Sequence, residues 1–427
     1  MIGRRKKAFY ALYDLLRAIE AAPDNLALVR EMNLLLVNEV LRAEDNILRH
    51  KAALKALKAK LKTARGSKGD ANAIRRTIGR TESYIDGYYQ QRYIWKCFGD
   101  GLAFSYLDKY SAKHAFYATD NYNVKPSAGM LHGKSGLVNE LSCLFGAIAH
   151  DVPAVLCDVT NILRYGDICL LGASDPCPIE VKSSPQLNQR GKRQAATLKR
   201  LIDFLTTDRA EDFRVPGVTK RVILTVPERN HQDAMNACIA VAERAGYCIV
   251  HPELGLTYVA TYGHLPEGAL ANLASGGRQV TFCLNEAKTS RAWTIYQPFT
   301  RSIRRRQHLL DFVVGRLVLV VMFDVDALCE AMQRPGWDIS LAADGSLPIQ
   351  FHHRETGTGA GISSQVLNRI GFEFVSPSWI AESLGSLIEE RCADMLASTD
   401  GMMTLSTDYT PFVSRCLGVA PDGSSGT

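Results

Sequence analysis

Residues 165–184 read YGDICLLGASDPCPIEVKSS, from Tyr165 to Ser184. Two short apolar runs, Ile168 to Leu171 and Ile179 to Val181, flank a polar Gly-Ala-Ser-Asp-Pro segment, the pattern of a tight antiparallel hairpin. Strand side chains alternate, so Glu180 and Lys182 share one face while Ile179 and Val181 take the other. A four-residue loop from Ala173 to Pro176 places Asp167 opposite Lys182, with Glu180 on the diagonal. Three ionisable groups at the edge of an apolar hairpin are costly unless they meet each other or a cation. A hard divalent ion suits them, because Mg²⁺ takes oxygen ligands and is commonly held by one or two carboxylates plus waters and phosphate oxygens. Lys182 then stands where it can activate water or offset charge developing on a phosphorus centre. The plain alternative is an exposed hairpin with surface charges, since Glu-x-Lys by itself is common.

The flanks add to this. Upstream, Gly136 to His150 (GLVNELSCLFGAIAH) has Leu137, Leu141, Leu144, Phe145 and Ile148 at helical spacing and carries Glu140. Ala154 to Val159 reads as a first strand, and Gln186 to Thr206 as a basic helix with Gln189, Arg190, Lys192, Arg193, Gln194 and Lys199. Arg221 to Val226 reads as a further strand.

Gly-Asp opening one apolar strand and Glu-Val-Lys in the next resemble the PD-(D/E)xK nuclease superfamily, with Asp167, Glu180 and Lys182 at its three core positions. The order helix, three strands, helix, strand over Gly136 to Val226 matches that family's core, about a fifth of the chain. The resemblance implies a restriction-endonuclease-like α+β core whose metal, Mg²⁺ or Mn²⁺, is held by Asp167, Glu180, the Val181 backbone and Glu140. It also implies that Gln194 orients the site or contacts phosphate. The sequence departs from the pattern in having Gly166 where the family commonly has proline, and Asp158 is a competing acidic position.

At 427 residues, 46% hydrophobic and 22% charged, the chain is long enough for two or three domains and ordinary for a folded protein. The net charge of +6 is concentrated at the start: residues 1–100 hold 20 Lys and Arg against 11 Asp and Glu, and the remainder is slightly acidic. Eleven scattered cysteines show no Cys-x-x-Cys and no zinc-type spacing, which predicts neither a disulfide framework nor a zinc site and suits a reducing cytoplasm. The basic start MIGRRKKAFYALYDLLRAIE is broken by Asp14 and Arg17, so it reads as an amphipathic helix rather than a leader. The longest apolar run, Leu317 to Phe323, is too short to cross a bilayer.

Residues 1–97 read as helical. After Pro23-Asp24, Val40, Ile47, Leu54 and Leu61 recur every seven residues, and Gly66 to Asp70 reads as a turn before a second helix. An antiparallel helical hairpin is the simplest account, with dimerisation through the seam as the alternative. Its lysines and arginines, Lys51 to Arg80, suit either a solvated face or a phosphate backbone. GMLHGKSG (Gly129 to Gly136) fails as a phosphate loop, with three residues between Gly129 and Gly133 where four are needed. Lys134 is nevertheless set to touch substrate from beside the positive end of the Glu140 helix.

After the core a helix, His231 to Ala245, and a strand pair around Cys248 to Tyr262 are expected to extend the sheet. A Gly/Ser break at 268–277 precedes a mixed α/β region, 278–420. Its expected strands are Val280 to Leu284, Trp293 to Tyr296, Leu317 to Phe323 and Pro348 to His352. Its expected helices are Arg301 to Val314, Val325 to Gln333 and Pro377 to Leu396. Arg301, Arg304, Arg305 and Arg306 read as a basic cluster, either a second DNA contact or an exposed helix face. His352, His353 and Glu355 are excluded as a metal site because adjacent strand residues face opposite ways. Gly357 to Gly361 reads as a loop, and 421–427 as a disordered tail. The whole predicts a helical arm (1–97), a nuclease core (98–267) and a C-terminal domain. The function expected is Mg²⁺-dependent endonucleolytic hydrolysis of DNA, with RNA the other substrate, in the cytoplasm and in a layout suited to bacterial defence against phage or plasmids. The competing reading is a nuclease-fold DNA-binding or scaffold protein that does not cut.

Overall fold

The structure, a computed structural model, describes residues 2–63, 68–127, 129–182, 189–222, 224, 226–265, 268, 277–342, 347–357 and 359–397. The expected turn after residue 63, most of the 268–277 break and the 421–427 tail lie outside the described residues. The chain is a mixture of helices and small antiparallel sheets, an α+β arrangement. It divides into two compact units. One is Met1–Phe116 with Lys125–Lys199 and Gln297–Arg301, and the other is Tyr117–Val124 with Arg200–Tyr296 and Ser302 onward.

The first unit is built on three helices, α1 (Lys6–Ala21), α2 (Leu26–Thr63) and α3 (Lys68–Ala103). α1 buries Phe9, Leu12, Leu16 and Ile19, one stripe at helical spacing. α2 and α3 form the antiparallel hairpin, tied by ion pairs Arg92–Glu44 (3.0 Å) and Lys58–Glu82 (2.8 Å). Its two halves differ. Val40 and Ile47 are fully buried, whereas Leu54 and Leu61 are half-buried, because only the proximal half also packs on other elements of the unit. His50, seven residues after Ala43 in the companion row of the heptad, stacks on Tyr88 (5.6 Å) and lies tilted against Tyr84 (5.4 Å).

A short α4 (Lys109–Ala112) is capped by Asp108, whose carboxylate accepts from the Tyr110 and Ser111 amides (2.9 and 2.8 Å). α5 (Leu137–Ala149) packs on α2 and on strand β1 (Ala154–Leu156), which pairs antiparallel with β2 (Ile168–Leu170), itself paired with β3 (Cys177–Ile179). The β1 edge is closed by buried Asn33 of α2: its amide donates to Ala154 O (3.0 Å) and its oxygen accepts from Leu156 N (3.3 Å). α6 (Gln189–Thr207) follows β3.

The hairpin register corrects the sequence reading. Ile168 pairs with Ile179, so the register continues toward Asp167 opposite Glu180, not Lys182. The cause is a six-residue connection: β2 ends at Leu170, so Leu171 and Gly172 join the expected Ala173–Pro176 loop, and the buried Leu171 turns its amide to Pro153 O (2.7 Å) on the β1 side. Nor is Ile179 core, being 39% exposed.

In the second unit β4 (Arg209–Glu211) and β5 (Val218–Lys220) form a two-stranded ladder of their own. The expected strand from Arg221 to Val226 is absent among the described residues, which exclude 223 and 225. α7 (Gln232–Ala245) packs on β6 (Tyr247–Glu253) and β7 (Leu256–Thr261). These strands join β8 (Gln279–Cys283) and β9 (Val318–Asp324) in a four-stranded antiparallel sheet ordered β6-β7-β9-β8, rather than extending the β1–β3 sheet.

Between β8 and β9 lie α8 (Leu284–Thr289), α9 (Phe299–Ser302) and α10 (Arg306–Val314). Trp293 to Tyr296 is not a strand. Trp293 and Tyr296 are buried by aromatic packing on Phe372 (4.9 and 4.7 Å) without a ladder. The expected helix from Arg301 to Val314 breaks at 303–305, and its arginines are dispersed: Arg301 pairs with Glu20 (2.7 Å) in the first unit, while Arg304 pairs with Asp233 and Arg305 with Glu243 (3.7 Å) in the second. α11 (Val325–Ala331) leads to a sheet of β10 (Trp337–Leu341), β11 (Ile349–His353) and β12 (Gly359–Ile362), so part of the expected Gly357 to Gly361 loop is strand. α12 (Ser364–Phe372) and α13 (Pro377–Ala397) complete the described chain. Among the described residues no helix is long and apolar enough to cross a membrane.

Candidate functional site

Gly166 explains the missing proline. Its φ is +71°, a left-handed conformation, and a Cβ there would lie 2.6 Å from Ile179 O. Proline, locked near φ −65°, cannot occupy that position. Released by this turn, Asp167 donates its amide to Ile179 O (2.8 Å) and accepts from Cys157 N (2.9 Å), so its backbone bridges both neighbouring segments. Its side chain is held as firmly, with Oδ2 accepting from the Val181 amide (2.9 Å).

Asp158 lies in a single 3₁₀ turn, Cys157–Val159, which ends β1 and leaves the carboxylate buried. α3 fixes that turn. Gly99 admits Val159 O where a Cβ would collide, and buried Asp100 accepts from Asn161 N (2.6 Å), Asn161 Nδ2 (2.7 Å) and Ile162 N (3.1 Å). Burial pushes the Asp100 carboxyl up to about 6, against the pull of those bonds.

Glu140 approaches from the first turn of α5, and the three carboxylates meet at one ammonium. Lys134 Nζ is 2.7 Å from Asp158 Oδ2, 2.8 Å from Glu140 Oε2 and 3.2 Å from Asp167 Oδ1. The Glu140 contact is an ion pair, and among the described residues its buried Oε2 receives no aligned hydrogen bond. Partial burial works against the Lys134 charge, but Asp158, Glu140 and Asp167 outweigh it and hold the amine above its ordinary value. Burial, reinforced by the other two carboxylates against the Lys134 charge, raises Glu140. Lys96 of α3 lies in the same field. It is 5% exposed, and no hydrogen bond or ion pair reaches it among the described residues. Burial and the charge of Arg92 push it down to about 8, against the attraction of Asp158, Glu44 and Asp100.

Glu180 stands apart from this cradle and pairs with Lys182 (2.7 Å). With Lys125, Tyr165, Gly166, Arg193 and Gln194 it lines a pocket of about 290 Å³. Lys125 is propped there by Arg164 O (2.6 Å) and by the Tyr165 ring, whose centroid is 3.6 Å away. Burial lowers the Lys125 amine, with Glu180 pulling the other way.

Of the residues singled out in the sequence, Glu140 and Asp167 are brought to a common cation. Glu180, Lys182 and Gln194 lie on the other flank of Gly166-Asp167, and Val181 contributes its amide to Asp167. Asp158, Lys96 and Lys125 enter the site without having been assigned a role. Asp158 was visible as a competing acid, but nothing in the local pattern marks the other two. Among the described residues no three His, Cys, Asp or Glu side chains are disposed to hold a metal by themselves. The oxygen donors of Asp158 and Asp167, with the unsatisfied Glu140 Oε2, suit a hard divalent ion completed by water and phosphate, provided that it displaces the Lys134 ammonium. No protein family matches the chain, and no curated protein or solved structure matches it.

Proposed function

We propose that the chain is a metal-dependent nuclease, hydrolysing phosphodiester bonds in DNA, built on a restriction-endonuclease-like core. The observation that carries this reading is the convergence of Glu140 of α5, Asp158 of the 3₁₀ turn after β1 and Asp167 just before β2 on one cation position beside the Glu180–Lys182 pair. Mg²⁺ or Mn²⁺, when bound, would polarise the phosphate and lower the pKa of a bound water. Asp167 and Asp158, with Glu140, would hold it. Asp167 is oriented by the Val181 amide, and Lys182 and Gln194 are left to face the substrate backbone. The exposed Lys51, Lys55, Lys58, Lys60, Lys62, Lys68, Arg75, Arg76 and Arg80 of the basic arm support attraction of a polyanion without sequence preference.

A second reading, a nucleic-acid-binding chain that does not cut, is favoured by the Lys134 ammonium standing where an ion would. One experiment separates them. Purified protein is incubated with plasmid, linear and single-stranded DNA and with RNA, each in Mg²⁺, Mn²⁺ or chelator. Cleavage that needs the metal and is lost in folded Asp167→Asn and Lys182→Ala supports the nuclease. Cleavage surviving in both variants rejects the site, and binding without cleavage of any substrate selects the second reading.

A further inference from the structure

The pocket beside Gly166 has a charge opposite to that of the acidic cradle. Its carboxylate, Glu180, is already matched by Lys182 at 2.7 Å. That leaves Lys125 and Arg193 without an ion pair among the described residues. The Arg193 guanidinium has no hydrogen-bond or ion-pair partner among the described residues, while Thr197, one turn further along α6 and also lining the pocket, donates its Oγ1 to Arg193 O (2.9 Å). Lys125 is oriented by Arg164 O and the Tyr165 ring. A volume of about 290 Å³ lies at the lower end of small-molecule sites, room for one sugar-phosphate unit rather than a duplex. Gly166, with no side chain, forms the wall shared with Asp167.

We infer that this pocket binds a single phosphorylated nucleotide unit, its phosphate taken by Arg193 and Lys125 and its sugar or base lying against Gln194 and the Gly166 wall. Its role as the subsite next to the bond being cut rests on the nuclease reading; its affinity for phosphate does not. Guanidinium and ammonium donors suit phosphate oxygens, the first in a forked geometry and the second as a point charge.

The test is calorimetric titration of the full chain in chelator, so that no metal contributes, with deoxythymidine 3′,5′-bisphosphate as the probe. One site is expected, weakening with salt. Arg193→Glu, an exposed position whose fold is checked by circular dichroism, weakens it at least tenfold, and Lys125→Met does so in the same direction. No binding by the wild type, equal binding by Arg193→Glu, or equal binding of unphosphorylated thymidine would overturn the inference. Arg193-dependent binding in a protein that cuts no substrate keeps the pocket and removes the nuclease.

Discussion

The two flanks of Gly166-Asp167 solve opposite electrostatic problems with similar residues. On one flank three carboxylates share one lysine and two of them, Glu140 and Asp158, are nearly fully buried, so the excess charge is negative and poorly hydrated. On the other, a carboxylate is paired with Lys182, and Lys125 and Arg193 leave the excess positive. A phosphodiester cleaved with the help of a cation needs both, a place for the metal and a place for the phosphate. The difference is set by local backbone: a 3₁₀ turn and a helix N-terminus direct acids inward, whereas a hairpin and the first turns of α6 present bases.

The largest effect should come from the residue between the flanks. Asp167→Asn removes the cradle's central charge while keeping an oxygen for the Val181 amide, and plasmid cleavage should fall at least about a hundredfold, as for loss of a transition-state electrostatic partner. Undiminished cleavage would break the comparison at its hinge.

Lys96 sharpens the acidic side. Its folded value near 8 lies below the ordinary 10.5, so the folded state binds fewer protons than the unfolded one between those pH values. The cost of the buried ammonium is therefore fully present below pH 8 and is relieved as pH rises toward 10.5. Lys96→Met should raise stability at pH 7 by about 3 kcal/mol, an order-of-magnitude figure from the size of the shift, and flatten that rise in denaturant titrations. A less stable variant would mean that Lys96 has a compensating partner.

Lys134→Met tests whether the ammonium stands in for a metal. The orphaned carboxylates should lower stability in chelator by about 1–3 kcal/mol, discounted because Lys134 is 28% exposed, and Mn²⁺ should restore the melting temperature. Loss of stability that Mn²⁺ cannot repair would make the cradle purely structural. The smallest change in binding, as distinct from the loss of cleavage expected of the same variant, should come from Lys182→Ala, which unpairs Glu180 and should weaken the bisphosphate by a factor of about three, the scale of an exposed charge contact.

Much of the first unit was legible before any coordinates. The apolar spacing of α5, the heptad of α2 and the run of β2 name their elements, whereas β3 ends at Ile179 and leaves Glu180, Val181 and Lys182 beyond the strand expected to hold them; Glu140 and Asp167 do meet, on the Lys134 ammonium. The register was not legible, because Leu171 continues the apolar run of β2 in sequence, whereas β2 ends at Leu170 and the Leu171 amide turns to Pro153. Lys134 was read as a substrate contact beside a helix start, not as the partner of three acids. Its direction, into three acids from segments up to 33 positions away, depends on tertiary placement. Lys96 was hidden more completely, since its helical spacing says nothing of the Asp158 turn, and the failed expectations at Trp293 and Gly357 have the same origin in packing and pairing beyond the local pattern.

Asn33 carries a last consequence. A side-chain amide that occupies the outer acceptor and donor of β1 acts as a one-residue surrogate strand, so no foreign chain can zip onto that rim of the sheet. At the opposite rim Pro178 deprives β3 of an amide hydrogen. The little sheet is therefore terminated on one side and blunted on the other, and a variant such as Asn33→Leu would reopen a sticky border where the root of the helical hairpin now acts as a stopper.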